Sequence, residues 1–510
     1  MGYRSRYHTP QGPIQARSLS NLKINLSSPS VAPQKCLNMP RGGASNDSKD
    51  ASPRLPLSVY LSSLPSLLHG YDTGVIAGAL LYLVPALGLE SAPGLVGLMV
   101  TACTLGAILG SCIVNSLLSS FGRIGTLRLG SWVFFFSSIL SGLSPNYWSL
   151  VMARFMAGVA MGTSSATVPV YISETSPADC RGKAATVPQF MISSGILLSY
   201  AVDLAILATF GGKWRVMLGA AVLPSIAMMI GVHTLVESPR YLASKGRTEE
   251  AFENLKKIRG TEDVGQEWSD IVGGLKSSQK DDAAPRASLS DLLKNPFARS
   301  RLIVMVVLQA FQQLCGINAI VYFTPLILRE AGVSSILSRL VSDGNAASML
   351  STIVAYAPKI PALVLAGKLM DRMGRKKLLT TFTPVMGISL VTLASSFRWL
   401  PAGSKLRGAL AVMSVMTYGI VFCLSLGPVP SILSSESFPG EFRSAGMAGS
   451  VAAQWTFNAA VSLMFPIMQA KVGTENVLWG FAAMCALATA FSGKFVVETK
   501  GMKLEDCGGS

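Results

Sequence analysis

Two charged residues stand where charge is expensive. Asp72 and Arg154 each lie inside a long apolar run, and an ionisable group in such a run is a functional candidate by default. Arg154 is always charged and is the natural partner for a carboxylate. A deprotonated Asp72 would hold Arg154 and a protonated one would release it, which makes a two-state element biased by a proton. A second group, Gln312, Gln313 and Asn318, lies in another apolar run. An amide head carries a donor and an acceptor, the chemistry that suits a hydroxyl-rich, uncharged ligand. Gln312 and Gln313 are adjacent, so on a helix they point about 100° apart. Both can face a wide cavity but not one narrow seam. The alternative for these amides is hydrogen bonding between helices.

The elements that position these residues follow from composition. The chain has 510 residues, 50% hydrophobic and 14% charged, with a mean hydropathy of +0.45. Soluble chains carry about 25% charged residues, so a soluble enzyme and a disordered chain are both excluded. Roughly 20 apolar residues span a bilayer as a helix. Apolar segments run over 55–89, 93–119, 126–144, 147–172, 184–210, 214–236, 301–328, 346–370, 377–397, 406–434, 445–470 and 475–497. They are long and continuous rather than alternating, which favours helices over a β-barrel. The fold class is therefore all-α, a polytopic membrane protein of twelve transmembrane helices. The eighth segment is the least clear, since Pro358 and Pro361 fall near the middle of the stretch from Ala331 to Asp371.

Five regions follow: a leader at 1–54, a six-helix bundle at 55–236, a charged linker at 237–300, a second six-helix bundle at 301–497 and a short tail at 498–510. The linker holds 11 basic and 11 acidic residues and reads as short amphipathic helices, Glu249 to Arg259 being the best. The net charge of +16 reads as membrane orientation, because loop Lys and Arg set topology. Basic residues collect between spans 2–3, 4–5, 8–9 and 10–11, so that side and both termini are expected in the cytosol or its equivalent. No basic patch on a soluble domain suggests nucleic acid as a partner. The eight cysteines and three histidines have no metal-ligand or catalytic spacing; no cofactor and no enzyme activity are expected. Residues 1–46 contain no Asp or Glu but several Arg, Ser and Pro. That pattern fits an organelle transit peptide or a disordered cytosolic tail.

The two halves echo each other. Phe121-Gly122-Arg123 follows span 2 and Met373-Gly374-Arg375 follows span 8, an offset of 252 residues. Glu174, Pro177 and Arg181 follow span 4; Glu436, Pro439 and Arg443 follow span 10, an offset of 262. A duplicated six-helix unit is implied, and parallel repeats of this kind build transporters with a site between the halves near the midplane. The Glu and Arg pairs are expected to tie the halves together on one side and part when the protein opens there. The alternative is static surface pairing, worth about 0–1 kcal/mol.

On these residues the sequence resembles the sugar porters of the major facilitator superfamily. The matching motifs are Gly70-Tyr71-Asp72-Thr73-Gly74-Val75-Ile76, Arg154, Tyr171-Ile172-Ser173-Glu174 with Arg181-Gly182, and Glu237-Ser238-Pro239-Arg240. They continue with Gln312-Gln313-Leu314-Cys315-Gly316-Ile317-Asn318, Asp371-Arg372-Met373-Gly374-Arg375, Gly427-Pro428-Val429-Pro430 and Val497-Glu498-Thr499-Lys500-Gly501. Each is weak alone; the ordered set is specific. The Leu426 to Pro430 motif, the ending and the leader most resemble plastidic glucose transporters. The resemblance implies two pseudo-symmetric bundles and alternating-access transport of a monosaccharide, glucose or another hexose, by a monomer in the lipid bilayer. It implies sugar contacts from Gln189, Gln312, Gln313, Asn318, Trp455 and Asn458. Tyr322 and Phe323 would form the outer gate, and Glu174, Arg181, Glu237, Arg240, Asp371, Arg375, Glu436 and Arg443 the inner gating network. Proton-coupled sugar porters carry Asp at the position of Asp72, which argues for symport; the plastidic subgroup usually does not, which argues for uniport. A non-transporting sugar sensor is the remaining alternative. A plastid envelope is expected from the leader and subgroup, with the plasma membrane as the alternative.

The sequence also departs from the family. Ser119, Ser120 and Ile124 replace charged residues of the span 2–3 motif, and Ser431 replaces a Trp after the span-10 Pro. Counting back from Asp371, the family's span-8 Asn falls at Lys359. A midplane Lys is costly, so an insertion is expected to shift the span, leaving the role to Asn345 or another residue.

Overall fold

The structure is a computed structural model in which residues 55–177, 180–281, 289–337, 343–438 and 442–498 are described. The leader at 1–54 and nearly all of the tail lie outside the described residues, as do the side chains of Arg181 and Asp371. Among the described residues all regular structure is helical.

Among the described residues eleven helical stretches are long and apolar enough to cross a membrane. One of them, Pro93–Gly142, has 50 residues and bends at Gly122, where φ is 79° and ψ −173°. At 1.5 Å per residue it is about twice too long for one crossing, so the bend divides it in two and the spans number twelve. Spans 1 to 6 are Leu57–Ala86, 93–121, 123–142, Tyr147–Thr175, Gly182–Phe210 and Trp214–His233. Spans 7 to 12 are Pro296–Ala331, Gly344–Met370, Arg375–Trp399, Lys405–Glu436, Arg443–Val472 and Thr474–Phe495. The eighth forms despite its prolines: Pro358 precedes the second of its two segments, Lys359–Met373, where a missing N–H does no harm.

In lipid, helices gain little from burying apolar surface against each other and associate by close packing of small residues. Spans 2 and 4 meet through Gly106, Gly110, Gly158 and Gly162, where any added Cβ would strike the facing backbone. Spans 1 and 5 meet the same way through Gly70 and Gly195. In the second half Gly387 of span 9 lies against Cys485 of span 12.

The linker packs on the first bundle. Helix Thr248–Arg259 has Glu249 and Glu250 in its first turn and Lys256, Lys257 and Arg259 in its last, which suits the helix dipole. Gly260 ends it in the left-handed conformation. Arg259 grips Glu267 with two bonds of 2.8 and 2.6 Å and donates a third, of 2.6 Å, to the carbonyl of Thr175 at the end of span 4.

Candidate functional site

A cavity of about 110 Å³ lies between the bundles, room for several waters. The first bundle contributes His69, Thr73, Cys103, Thr104, Met161, Ile192 and Ile196; the second contributes Ile317, Asn318, Val321, Tyr322, Lys359, Trp455 and Asn458. Trp455 stacks on His69 across the boundary, with ring centroids 6.1 Å apart. Nearby the halves are joined directly, since the Tyr200 hydroxyl of span 5 donates to the Val321 carbonyl of span 7 at 3.0 Å.

Why Asn318 points here is legible in two broken helices. Span 7 breaks at Gly316, which has φ 91°, and span 10 breaks near Ser425. Four residues beyond Leu426 stands Pro430, which has no N–H, so the Leu426 carbonyl loses its helical donor. An unsatisfied carbonyl within a membrane costs several kcal/mol. Gln312 supplies the donor: its amide nitrogen bonds the carbonyls of Leu426 at 2.7 Å and Gly427 at 2.9 Å. The Gln313 nitrogen donates to the Gln312 oxygen at 2.9 Å, and the Asn318 nitrogen donates to the Gln313 oxygen. The chain of amides starts at the span-10 break and ends at the cavity wall. Gln312 and Gln313 are buried behind Asn318, only 3% exposed each. Asn458 is held by Ser462, whose hydroxyl donates to its oxygen at 3.1 Å.

Asp72 and Arg154 form the expected ion pair, Nη1 to Oδ1 at 3.1 Å, with the side chains 14% and 2% exposed. The Cys103 thiol donates to the other carboxylate oxygen at 3.3 Å, so the pair adjoins the cavity through Cys103. A second carboxylate, Asp203 of span 5, is fully buried against Gly78, with no partner for either oxygen. The rule that selects Asp72 from the sequence selects Asp203 equally, since it too lies inside an apolar run.

The rim repeats one device. At Gly122 the carboxylate of Glu237 accepts the backbone N–H groups of Arg123 and Ile124 at 3.1 and 3.0 Å. At Gly374, φ 86°, Glu498 accepts those of Arg375 and Lys376 at 2.8 and 3.0 Å. Each carboxylate caps the free N–H groups of the next helix. Arg123 then forks onto Glu174 at 3.0 and 2.7 Å, and Arg375 reaches Glu436 at 2.9 Å. Each of these two ion pairs lies within its own half, while the Arg181 side chain lies outside the described residues. Glu174 and Glu436 close onto the arginine of the neighbouring bend, because that residue leaves its helix start beside them. Arg443 is half-buried, its Nε without a partner, and Arg240 is exposed. Glu498 is missing from the expected network; its motif was visible, but only the bend gives it a task.

Residues 59–508 match the family described as Sugar (and other) transporter. Plastidic glucose transporter 4 of Arabidopsis thaliana is 35% identical over 461 residues, which are 90% of this chain and 81% of that one. The chain belongs to this family. Two solved structures of XylE, the first that of the xylose transporter from E. coli, have the same fold. The inward open conformation aligns with a TM-score of 0.72 at 29% identity, covering 88% of this chain and 98% of that one. The proton:xylose symporter XylE bound to 6-bromo-6-deoxy-D-glucose aligns with a TM-score of 0.69 at 29% identity, covering 88% and 98%. The sugar transporter family moves solutes rather than making or breaking covalent bonds, so this chain is not an enzyme, and its architecture is the two-bundle major facilitator fold.

Within that sugar transporter frame three expected positions change. No shift carries Lys359 away: it lines the cavity, 6% exposed, while Asn345 sits at the outer start of span 8. Its cost, roughly 2.5–3.5 kcal/mol on insertion scales, is offset by neighbours that the sequence does not place together. The ammonium donates to the Tyr356 hydroxyl at 3.0 Å. It also lies over the Tyr356 ring at 4.5 Å and near the Phe422 ring at 5.9 Å. Gln189 is exposed and does not line the cavity; it stands one turn before Ile192 on the same face of span 5. Tyr322 and Phe323 part company: Tyr322 lines the cavity, and Phe323 packs into the second bundle against Phe465, centroids 4.9 Å apart.

Proposed function

We propose that the chain carries a monosaccharide, a hexose or close relative, across a membrane by alternating access, coupled to protons. The supporting observation is one arrangement: an amide- and aromatic-lined cavity between pseudo-symmetric bundles, with a membrane-embedded Asp–Arg pair beside it. Asn318 and Asn458 offer donors and acceptors to hydroxyls, and Trp455 an apolar face to a sugar ring. Gln312 and Gln313 hold Asn318 in place, and Tyr322 closes the outer side. Gln189 would meet the sugar on its way to the cytosol. Asp72 would take up the proton, and Arg154 would be released when it does.

On the cytosolic side the proposed gating network is Glu174, Glu237, Arg375 and Glu436, with Arg181, Arg240, Asp371 and Arg443 at its edge. It would stiffen each bundle as a rigid body. Likeness to an inward open structure fits a state closed outside, where Tyr200 meets Val321. The acid-poor leader and the plastidic relative favour a plastid envelope over the plasma membrane. A fluorescent fusion of residues 1–50 would go to plastids if that leader is a transit peptide.

Uptake of labelled glucose into liposomes, with and without an inward proton gradient, tests the transport reading. The gradient should drive accumulation, and Asp72→Asn should abolish accumulation while sparing exchange. Equal uptake in both conditions would replace coupling by uniport. No uptake of any hexose, pentose or sugar acid would remove the reading altogether.

A further inference from the structure

The Lys359 ammonium enters a membrane-embedded cavity without a carboxylate partner. It has three donors, and the Tyr356 hydroxyl takes one. The Tyr356 and Phe422 rings flank it, leaving two N–H groups beside the cavity. No Asp or Glu lines that cavity, nor the adjoining pocket that Lys359 shares with Tyr418 and Thr352. The carboxylates of the neighbouring spans are otherwise disposed. Asp72 is paired with Arg154, so those two charges cancel. Asp203 is buried against span 1 with both oxygens unpartnered, so it does not answer Lys359. The site therefore holds one uncompensated positive charge beside amides and an aromatic face.

We infer that the cargo carries a negative charge of its own: a monosaccharide with one carboxylate, such as a hexuronate. This deepens the transport reading and rests on it. The ring and hydroxyls would sit against Trp455, Asn318 and Asn458, and the carboxylate would accept the two remaining Lys359 donors. One ammonium matches one carboxylate. A phosphate dianion would bring a second charge for which the cavity provides no further always-charged group, since Arg154 is engaged by Asp72. Neutral hexoses would leave the ammonium unanswered and pass less well.

The experiment uses the full chain in liposomes, with labelled glucuronate, glucose and glucose 6-phosphate supplied to the same preparation. Uptake ratios within one preparation do not depend on how much protein has folded. Wild type should favour glucuronate over glucose. Lys359→Asn should lower the glucuronate-to-glucose ratio by about a hundredfold, the size expected when one partner of a buried charge pair is removed. Lys359→Arg should keep most of that preference. A glucose preference in wild type that Lys359→Asn leaves unmoved would overturn the inference while leaving sugar transport standing. Preference for the phosphate over the uronate would overturn the carboxylate class. Failure to carry any of the three, or any other sugar, would sink the transport reading itself.

Discussion

At the rim beside the linker, the N-terminal half turns at Gly122, caps the next helix with Glu237 and fastens Arg123 to Glu174. The C-terminal half turns at Gly374, caps with Glu498 and fastens Arg375 to Glu436. In the middle of the membrane the two halves have nothing in common. The first contributes a balanced ion pair, Asp72 with Arg154. The second contributes a line of amides and an ammonium cradled by rings. The rim is alike because its task is the same in both halves: to end one helix, start another and keep the bundle rigid. The centre differs in the way the proposed function needs, with the first half sensing the proton and the second sorting the cargo.

The sharpest way to break this division is to unbalance the N-terminal pair. Arg154→Met leaves Asp72 in a low-dielectric site without its cation. Removing one member of a buried pair costs about 3–5 kcal/mol, so thermal unfolding in detergent should fall well below that of the parent. Adding Asp72→Asn should recover a large part of the loss, though not transport. If the single and double variants melt alike, Asp72 and Arg154 are not coupled, and the N-terminal half has no charge switch.

Next in size is the amide line of the other half. Gln312→Leu deprives the Leu426 carbonyl of its donor, and a buried acceptor left unsatisfied costs about 1–3 kcal/mol. It also frees Gln313 and so loosens Asn318, and substrate KM should rise with the fall in stability. Asn318→Ala should raise KM while changing melting much less. Equal stability losses in the two variants would mean that Asn318 is part of the scaffold and that the boundary between support and site is misplaced.

How much of this could be read from the sequence varies with the distance over which the cause acts. Twelve spans and the two-fold repeat are written in local hydropathy and in matched Gly-Arg and Glu motifs, and they are legible. The pairing of Asp72 with Arg154 is legible in part: an arginine in lipid calls for a carboxylate, but hydropathy offers Asp203 as well as Asp72. Lys359 was legible as an anomaly but not as a site, since its cost looks prohibitive until Tyr356 from one turn before and Phe422 from span 10 come to its side. Gln312 carries the residue type of a ligand contact. Its first task, set by a proline 118 positions later in the chain, is to mend a broken helix. For Glu174 the motif spacing points to Arg181 and gives no hint of Arg123, which the bend at Gly122 delivers to it.

The smallest effects test whether the rims are truly equivalent. Glu237→Ala and Glu498→Ala each remove a carboxylate that accepts two backbone N–H groups at a helix start. Loss of such a cap costs about 0.5–2 kcal/mol. If the duplication still governs the rim, the two single variants should lower the melting temperature by similar amounts. The double variant should lower it by their sum, since the two carboxylates cap helices in different bundles. A loss confined to Glu237 would have a specific meaning. Beside Glu237 the linker adds support, for Asn254 donates to its backbone carbonyl at 3.3 Å and Tyr241 lies under the Arg123 guanidinium at 4.8 Å. Unequal losses would then assign the difference to the linker, which is bound to the first rim through Arg259 and Thr175, rather than to the repeated device. Repeating the pair in the background of Arg259→Ala would separate the two causes: equal losses there put the asymmetry in the linker, and persistent inequality puts it in the bundles.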